Sequence, residues 1–86
     1  MKRAFLVIRE FSYTNDEKNF SKGDWLPEVF TTINNAKAFI EKYTKDGETL
    51  KEEKDCFEFA FRKTVHTTSD TFIRWTIIGR NMNAIY

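Results

Sequence analysis

The sequence predicts an α+β fold, a small, mostly antiparallel sheet of three to four strands with one helix packed on one face. Three observations carry this. Cys56-Phe57-Glu58-Phe59-Ala60-Phe61-Arg62 places a phenylalanine at every second position, and a strand turns such residues to one face. Ile33, Ala36, Phe39, Ile40 and Tyr43 form the chain's clear 3.6-residue stripe. Thr71–Ile78 alternates again, with Ile73, Trp75 and Ile77 on one side and Phe72, Arg74, Thr76 and Ile78 on the other. One amphipathic helix covers one face of such a sheet and leaves the other open.

The first strand is expected over Ala4–Tyr13. It opens apolar on both faces and becomes amphipathic at Arg9, Glu10 and Ser12. Thr14–Lys22 is polar, with turn residues at Asn15-Asp16 and Lys22-Gly23-Asp24. Phe20, Trp25 and Leu26 interrupt that polarity, which predicts that the loop packs back on the body. Pro27 excludes a central strand over Trp25–Phe30, whereas Glu28–Thr31 suits a short edge strand.

The helix is expected to start behind Thr32 as N-cap, to carry Lys42 and Lys45 at its negative end, and to stop before Gly47. Thr49-Leu50-Lys51-Glu52 has the capping-box form, and Glu48–Asp55 otherwise reads as a solvated connection. Asp55–Val65 then forms the second long strand, His66–Asp70 a hairpin loop, and Thr71–Ile78 the third strand. Gly79 and Asn81 end that strand, leaving Met82–Tyr86 as a tail. On this reading Phe57, Phe59, Phe61, Ile73, Trp75 and Ile77 meet Phe39, Ile40 and Tyr43, and the opposite face carries Glu58, Ala60, Arg62, Phe72, Arg74, Thr76 and Ile78.

The 86 residues constitute a single domain, residues 1–86, near the lower end of what folds without staples. Nine Phe, three Tyr and two Trp compensate, since each buried ring removes about 150–250 Å² from water. Cys56 is the sole cysteine and reads as a small buried hydrophobe beside the strand aromatics. The apolar run Ala4–Ile8 stops at Arg9-Glu10, short of a signal core of about 7–15 residues. No stretch approaches the roughly 18 apolar residues of a membrane span, so a cytoplasmic protein without a membrane partner is expected.

Net charge is +1, which gives no global attraction to nucleic acid or lipid. Residues 1–13 carry +2 (Lys2, Arg3 and Arg9 against Glu10) and residues 56–86 another +2 (Arg62, Lys63, Arg74 and Arg80 against Glu58 and Asp70). The intervening segment holds ten acidic and seven basic residues, a balance of −3.

Recognisable catalytic chemistry is missing. His66 is the one histidine, placed in a turn, and one His with one Cys does not supply metal-ligand spacing. Glycines occur at 23, 47 and 79 only, which excludes a phosphate-cradling loop. Ser12, Ser21 and Ser69 lie in no nucleophile motif, and Asp16, Glu17, Asp24 and Glu28 read as solvated loop carboxylates. No enzyme activity, cofactor or metal is expected. An RNA-recognition signature wants a basic residue and glycine ahead of alternating aromatics; Asp55-Cys56 stand there instead.

The chain opens Lys2-Arg3-Ala4-Phe5-Leu6-Val7-Ile8, passes Val29-Phe30-Thr31-Thr32-Ile33-Asn34-Asn35-Ala36-Lys37-Ala38-Phe39-Ile40, and closes on a strand hairpin. In element order and composition it resembles small accessory proteins of bacteriophages and mobile elements. That resemblance implies binding and blocking of a host enzyme or defence component, CRISPR effectors included, and transfers no site to particular residues. The long loop Thr14–Pro27 and the aromatic density depart from it.

The expected function is therefore a small non-enzymatic protein-binding module, a phage-type inhibitor or modulator of a bacterial host protein or nucleoprotein complex. Trp25, Arg62, Phe72, Arg74, Arg9 and Arg80 are its candidate partner-binding residues, because Trp, Tyr and Arg dominate binding hot spots. The alternative is a weak nucleic-acid-binding domain in which Arg9, Arg62, Arg74 and Arg80 share a face with Phe11 and Phe72. A third class is a homodimer joined through sheet edges.

Overall fold

The computed structural model describes residues 3–12, 20, 23–69 and 71–81. They form β1 (Arg3–Ser12), β2 (Gly23–Phe30), α1 (Ile33–Tyr43), β3 (Gly47–Lys54), β4 (Phe61–Thr67) and β5 (Phe72–Asn81). The strands make one sheet in the order β2-β1-β5-β4-β3, antiparallel at every pairing. The class is α+β as expected, with five strands in place of three to four. The expected tail Met82–Tyr86, and most of the expected loop Thr14–Lys22, lie outside the described residues.

The topology follows from where the helix must go. β2 and β3 are the two edge strands, so the chain between them crosses the sheet, and α1 does so over one face. Thr32 is extended at φ −133° and ψ 150°, and its hydroxyl oxygen accepts from the Asn35 N–H at 3.2 Å. This N-cap satisfies one of the first helical donors. The helix ends at Tyr43 rather than Gly47; the Thr44 backbone N–H donates to the Glu41 carbonyl at 3.3 Å. Gly47 lies in β3 instead, where close approach explains it: a Cβ there would collide with Val65 Cγ1 and stand 3.2 Å from the His66 carbonyl oxygen.

The core lies between α1 and the sheet. Phe5, Val7, Ala36, Ile40, Phe61, Trp75 and Ile77 are buried together, with Leu26, Phe30, Ile33, Phe39 and Ile73 packed against them. Each fully buried Val, Ile or Phe among them contributes about 1.5–3 kcal/mol on leaving water. Tyr43 closes the stripe differently from expectation. It stays exposed while its ring stacks on Trp75 at 5.9 Å.

Three further expectations are corrected. Glu48–Asp55 is neither a connection nor a helical turn: Gly47–Lys54 is the edge strand β3, paired with β4. Its charges made it read as solvated, yet a charged strand is what protects a sheet edge from stray pairing. The second long strand does not span Asp55–Val65, because the chain reverses there. Asp55 takes a positive φ of 51°, its N–H donates to the Ala60 carbonyl at 3.1 Å, and the Phe59 N–H donates to the Cys56 carbonyl at 3.3 Å. Phe57, Phe59 and Phe61 therefore share no strand face. Phe61 is core, Phe59 is buried under the Arg62 guanidinium at 4.1 Å, and Phe57 is fully exposed at the turn. Cys56 is exposed with it rather than buried.

At the other end of β4, His66 belongs to the strand and stacks on Phe72 at 4.7 Å, so it is not a loop histidine. The hairpin turn begins after Thr67, whose N–H donates to the Thr71 carbonyl at 2.9 Å. β5 continues through Gly79 to Asn81 instead of ending at Ile78.

Candidate functional site

Pairing with β5 aligns Val7 with Ile77 and Arg9 with Trp75, so the odd-numbered residues of β1 face the helix. Leu6, Ile8 and Glu10 face the other way, opposite Ile78, Thr76 and Arg74. Neighbouring strands keep this division: Arg62 pairs with Thr76 and Thr64 with Arg74, while Trp25 pairs with Ile8 and Val29 with Leu6.

The helix-free face separates into two parts. Towards β4 it is polar and internally satisfied. Arg74 donates from Nε and Nη2 to the two carboxylate oxygens of Glu10, at 3.0 and 2.8 Å, and its guanidinium lies 4.5 Å from the Phe20 ring. This contact returns Phe20 to the body, as the interrupted polarity of its segment implied. Arg62 donates from Nε to Thr76 Oγ1 at 3.1 Å and covers Phe59.

Towards β2 the same face is apolar and open. Trp25 and Val29 are 55 % and 59 % exposed on the edge strand, beside half-buried Ile8, Leu6 and Ile78. A three-residue detour, Leu26-Pro27-Glu28 opposite Val7, separates the Trp25–Ile8 and Val29–Leu6 pairs. Proline lacks the N–H that a central strand would need, which confines it to an edge or bulge; here it occupies both. The detour adds an even number of residues, so Trp25 and Val29 remain on one face while Leu26 packs into the core.

The six residues expected to form one surface are thus dispersed. Arg62, Phe72, Arg74 and Arg80 alternate onto the helix-free face, but Phe72 is buried under His66 and the first two arginines are engaged as described. Arg9 and Phe11 lie on the helix side, where the Arg9 guanidinium stands 5.0 Å from Phe11 and 5.7 Å from Trp75. Trp25 and Arg80 stay exposed, Trp25 among the apolar neighbours of the β2 edge and Arg80 at the far end of β5. Val29 and Phe57 were missed: Val29 because Pro27 masks the strand alternation, Phe57 because its spacing imitates a strand.

Among the described residues, no group of three or more His, Cys, Asp or Glu could hold a metal ion, and no helix is long and apolar enough to cross a membrane. Cys56 lies on the turn before β4 and His66 near the far end of that strand. Asp24 and Glu28 are exposed on β2, and Asp16 and Glu17 fall outside the described residues. The chain matches no protein-family model, no curated protein and no solved structure.

Proposed function

We propose that this chain is a small non-enzymatic protein-binding module that docks through the Trp25–Val29 strip of its β2 edge. The observation that carries the reading is the pair of large apolar side chains held more than half exposed on an edge strand, continuous with Ile8, Leu6 and Ile78. An indole in such a position costs solvation in the free protein and gains on desolvation against a partner, which is why tryptophan is enriched at hot spots. The partner class proposed is a bacterial host protein or defence complex in the cytoplasm, with the chain as a phage-type inhibitor or modulator. That assignment rests on the resemblance in element order and composition alone.

The alternative, a nucleic-acid-binding face, draws less support from the geometry. Arg74 is neutralised by Glu10, Arg62 is held against Phe59 and Thr76, and Arg9 faces the helix.

A tagged pull-down from bacterial lysate, eluted by stepwise salt, tests both. A stoichiometric protein that survives high salt and is lost with Trp25→Ala supports the module. Nucleic acid released at modest salt, with no protein beside it, would reverse the assignment, because phosphate contacts release counterions and weaken steeply with salt.

A further inference from the structure

A second surface lies apart from the β2 strip, where the turn at residues 55–60 leans over the ends of β1 and β5. It borders a half-open, largely polar cavity of about 260 Å³, walled by Arg3, Arg80, Phe59, Ile78 and Gly79, with Asp55, Cys56, Phe57 and Glu58 on the turn side. Gly79 helps to shape the wall. A Cβ there would collide with the Arg3 guanidinium, which lies beside the Phe5 ring at 5.4 Å.

The volume is informative. Small-molecule pockets run to about 300–1,000 Å³, while about 150 Å³ suffices for a single benzene ring. A cavity of this size takes one ring-sized group, and guanidinium walls favour an aromatic one through cation–π contact. The same surface displays such a group. Phe57 is fully exposed on a turn pinned by three backbone hydrogen bonds, Asp55 to Ala60, Phe59 to Cys56 and Ala60 to Ile77, at 3.1, 3.3 and 2.8 Å. Ring and cavity therefore sit side by side on one hydrogen-bonded turn. The charges are equally self-complementary: Arg3 and Arg80 on the strands, Asp55 and Glu58 on the turn.

A patch that holds a knob, a matching hole and both signs of charge is complementary to itself under a two-fold rotation, the geometry of an isologous dimer. We propose that two copies of this chain associate through the turn at residues 55–60, each Phe57 entering the other copy's cavity, and the acidic turn of each facing the basic wall of the other. The patch comprises ten residues, fewer than the roughly 20–30 a side of a stable interface, so the association is expected to be weak and transient, in the micromolar range or above.

Sedimentation equilibrium from about 5 µM to about 1 mM, spanning that affinity range, reads the mass against the 10.3 kDa monomer. Phe57→Ser is expected to weaken association at least about tenfold without altering the circular dichroism or melting temperature, since the ring is fully exposed. Glu58→Lys and Arg80→Glu should each weaken it, and the double variant should restore it. The lone Cys56 allows a check in the unmodified chain: a short bis-maleimide should link copies at Cys56, and Phe57→Ser should abolish the product. A monomer mass throughout leaves the cavity to a foreign chain or small aromatic ligand and overturns the proposal. So does a dimer indifferent to Phe57→Ser, or one not restored in the charge-swapped pair.

Discussion

Arg74 and Glu10 meet across β5 and β1 in a two-pronged contact, Nε to Oε1 at 3.0 Å and Nη2 to Oε2 at 2.8 Å. Both side chains are roughly three-quarters buried, so the pair is screened less than a surface ion pair, and the fork geometry fixes strand register as well as charge. A double-mutant cycle with Glu10→Ala and Arg74→Ala should give a coupling of about 0.5–2 kcal/mol in urea unfolding. A coupling near zero would return Arg74 to the pool of available surface cations.

Trp25→Ala should leave stability within about 0.5–1 kcal/mol, because the residue sits more than half exposed on an edge strand. The same change should weaken binding of the captured partner by about 2 kcal/mol or more. Calorimetry on the purified pair measures the second quantity, and thermal unfolding of the free chain the first. A large stability loss with unchanged affinity would make Trp25 a packing residue.

Lys63 is nearly buried on the helix side, its ammonium 2.7 Å from Glu41 and 3.9 Å from Glu52. Lys63→Met should be neutral to within about 1 kcal/mol, since a similar volume replaces a buried charge and its desolvation cost. Removing both carboxylates while keeping the ammonium should cost about 1–3 kcal/mol. Adding Lys63→Met to that background should recover most of the loss in denaturant melts. Failure to recover it would mean that the glutamates act on something other than this charge.

Gly47→Ala should destabilise by about 1–3 kcal/mol, because the new methyl meets Val65 Cγ1 and a buried β-branched side chain has little rotamer freedom to yield. Gly23→Ala, which meets the more pliant Glu10 Cγ at 2.8 Å, should cost less. The two melting temperatures, compared directly, check the order.

Several of these positions show how far one-dimensional reasoning reaches. Helix α1 was legible because the 3.6-residue stripe and the Thr32 cap are local signals with local causes. β5 was legible because Ile73, Trp75 and Ile77 place apolar residues at every second position. β3 was not, since Gly47–Lys54 is stabilised by pairing with β4, a contact invisible to composition, and edge strands are charged for protection rather than for burial. The phenylalanine alternation misled for a related reason. Once β3 exists the chain must reverse before β4, and the reversal falls on Asp55 and the five residues that follow it, whatever their spacing.

The candidate site divides in the same way. From sequence alone came an α+β class with one helix on a mostly antiparallel sheet, the lack of recognisable catalytic motifs, and Trp25 as a residue of interest, all consequences of residue type and short-range period. Tertiary structure decided which arginines were available, because Glu10 lies 64 positions from Arg74 in the chain and only the β1–β5 register joins them. It also decided that Arg9 and Arg74 face opposite sides of the sheet, and that Trp25 and Val29 share one. These outcomes depend on strand register, and register is a property of the paired chain, set jointly by which faces the core buries and how each turn closes.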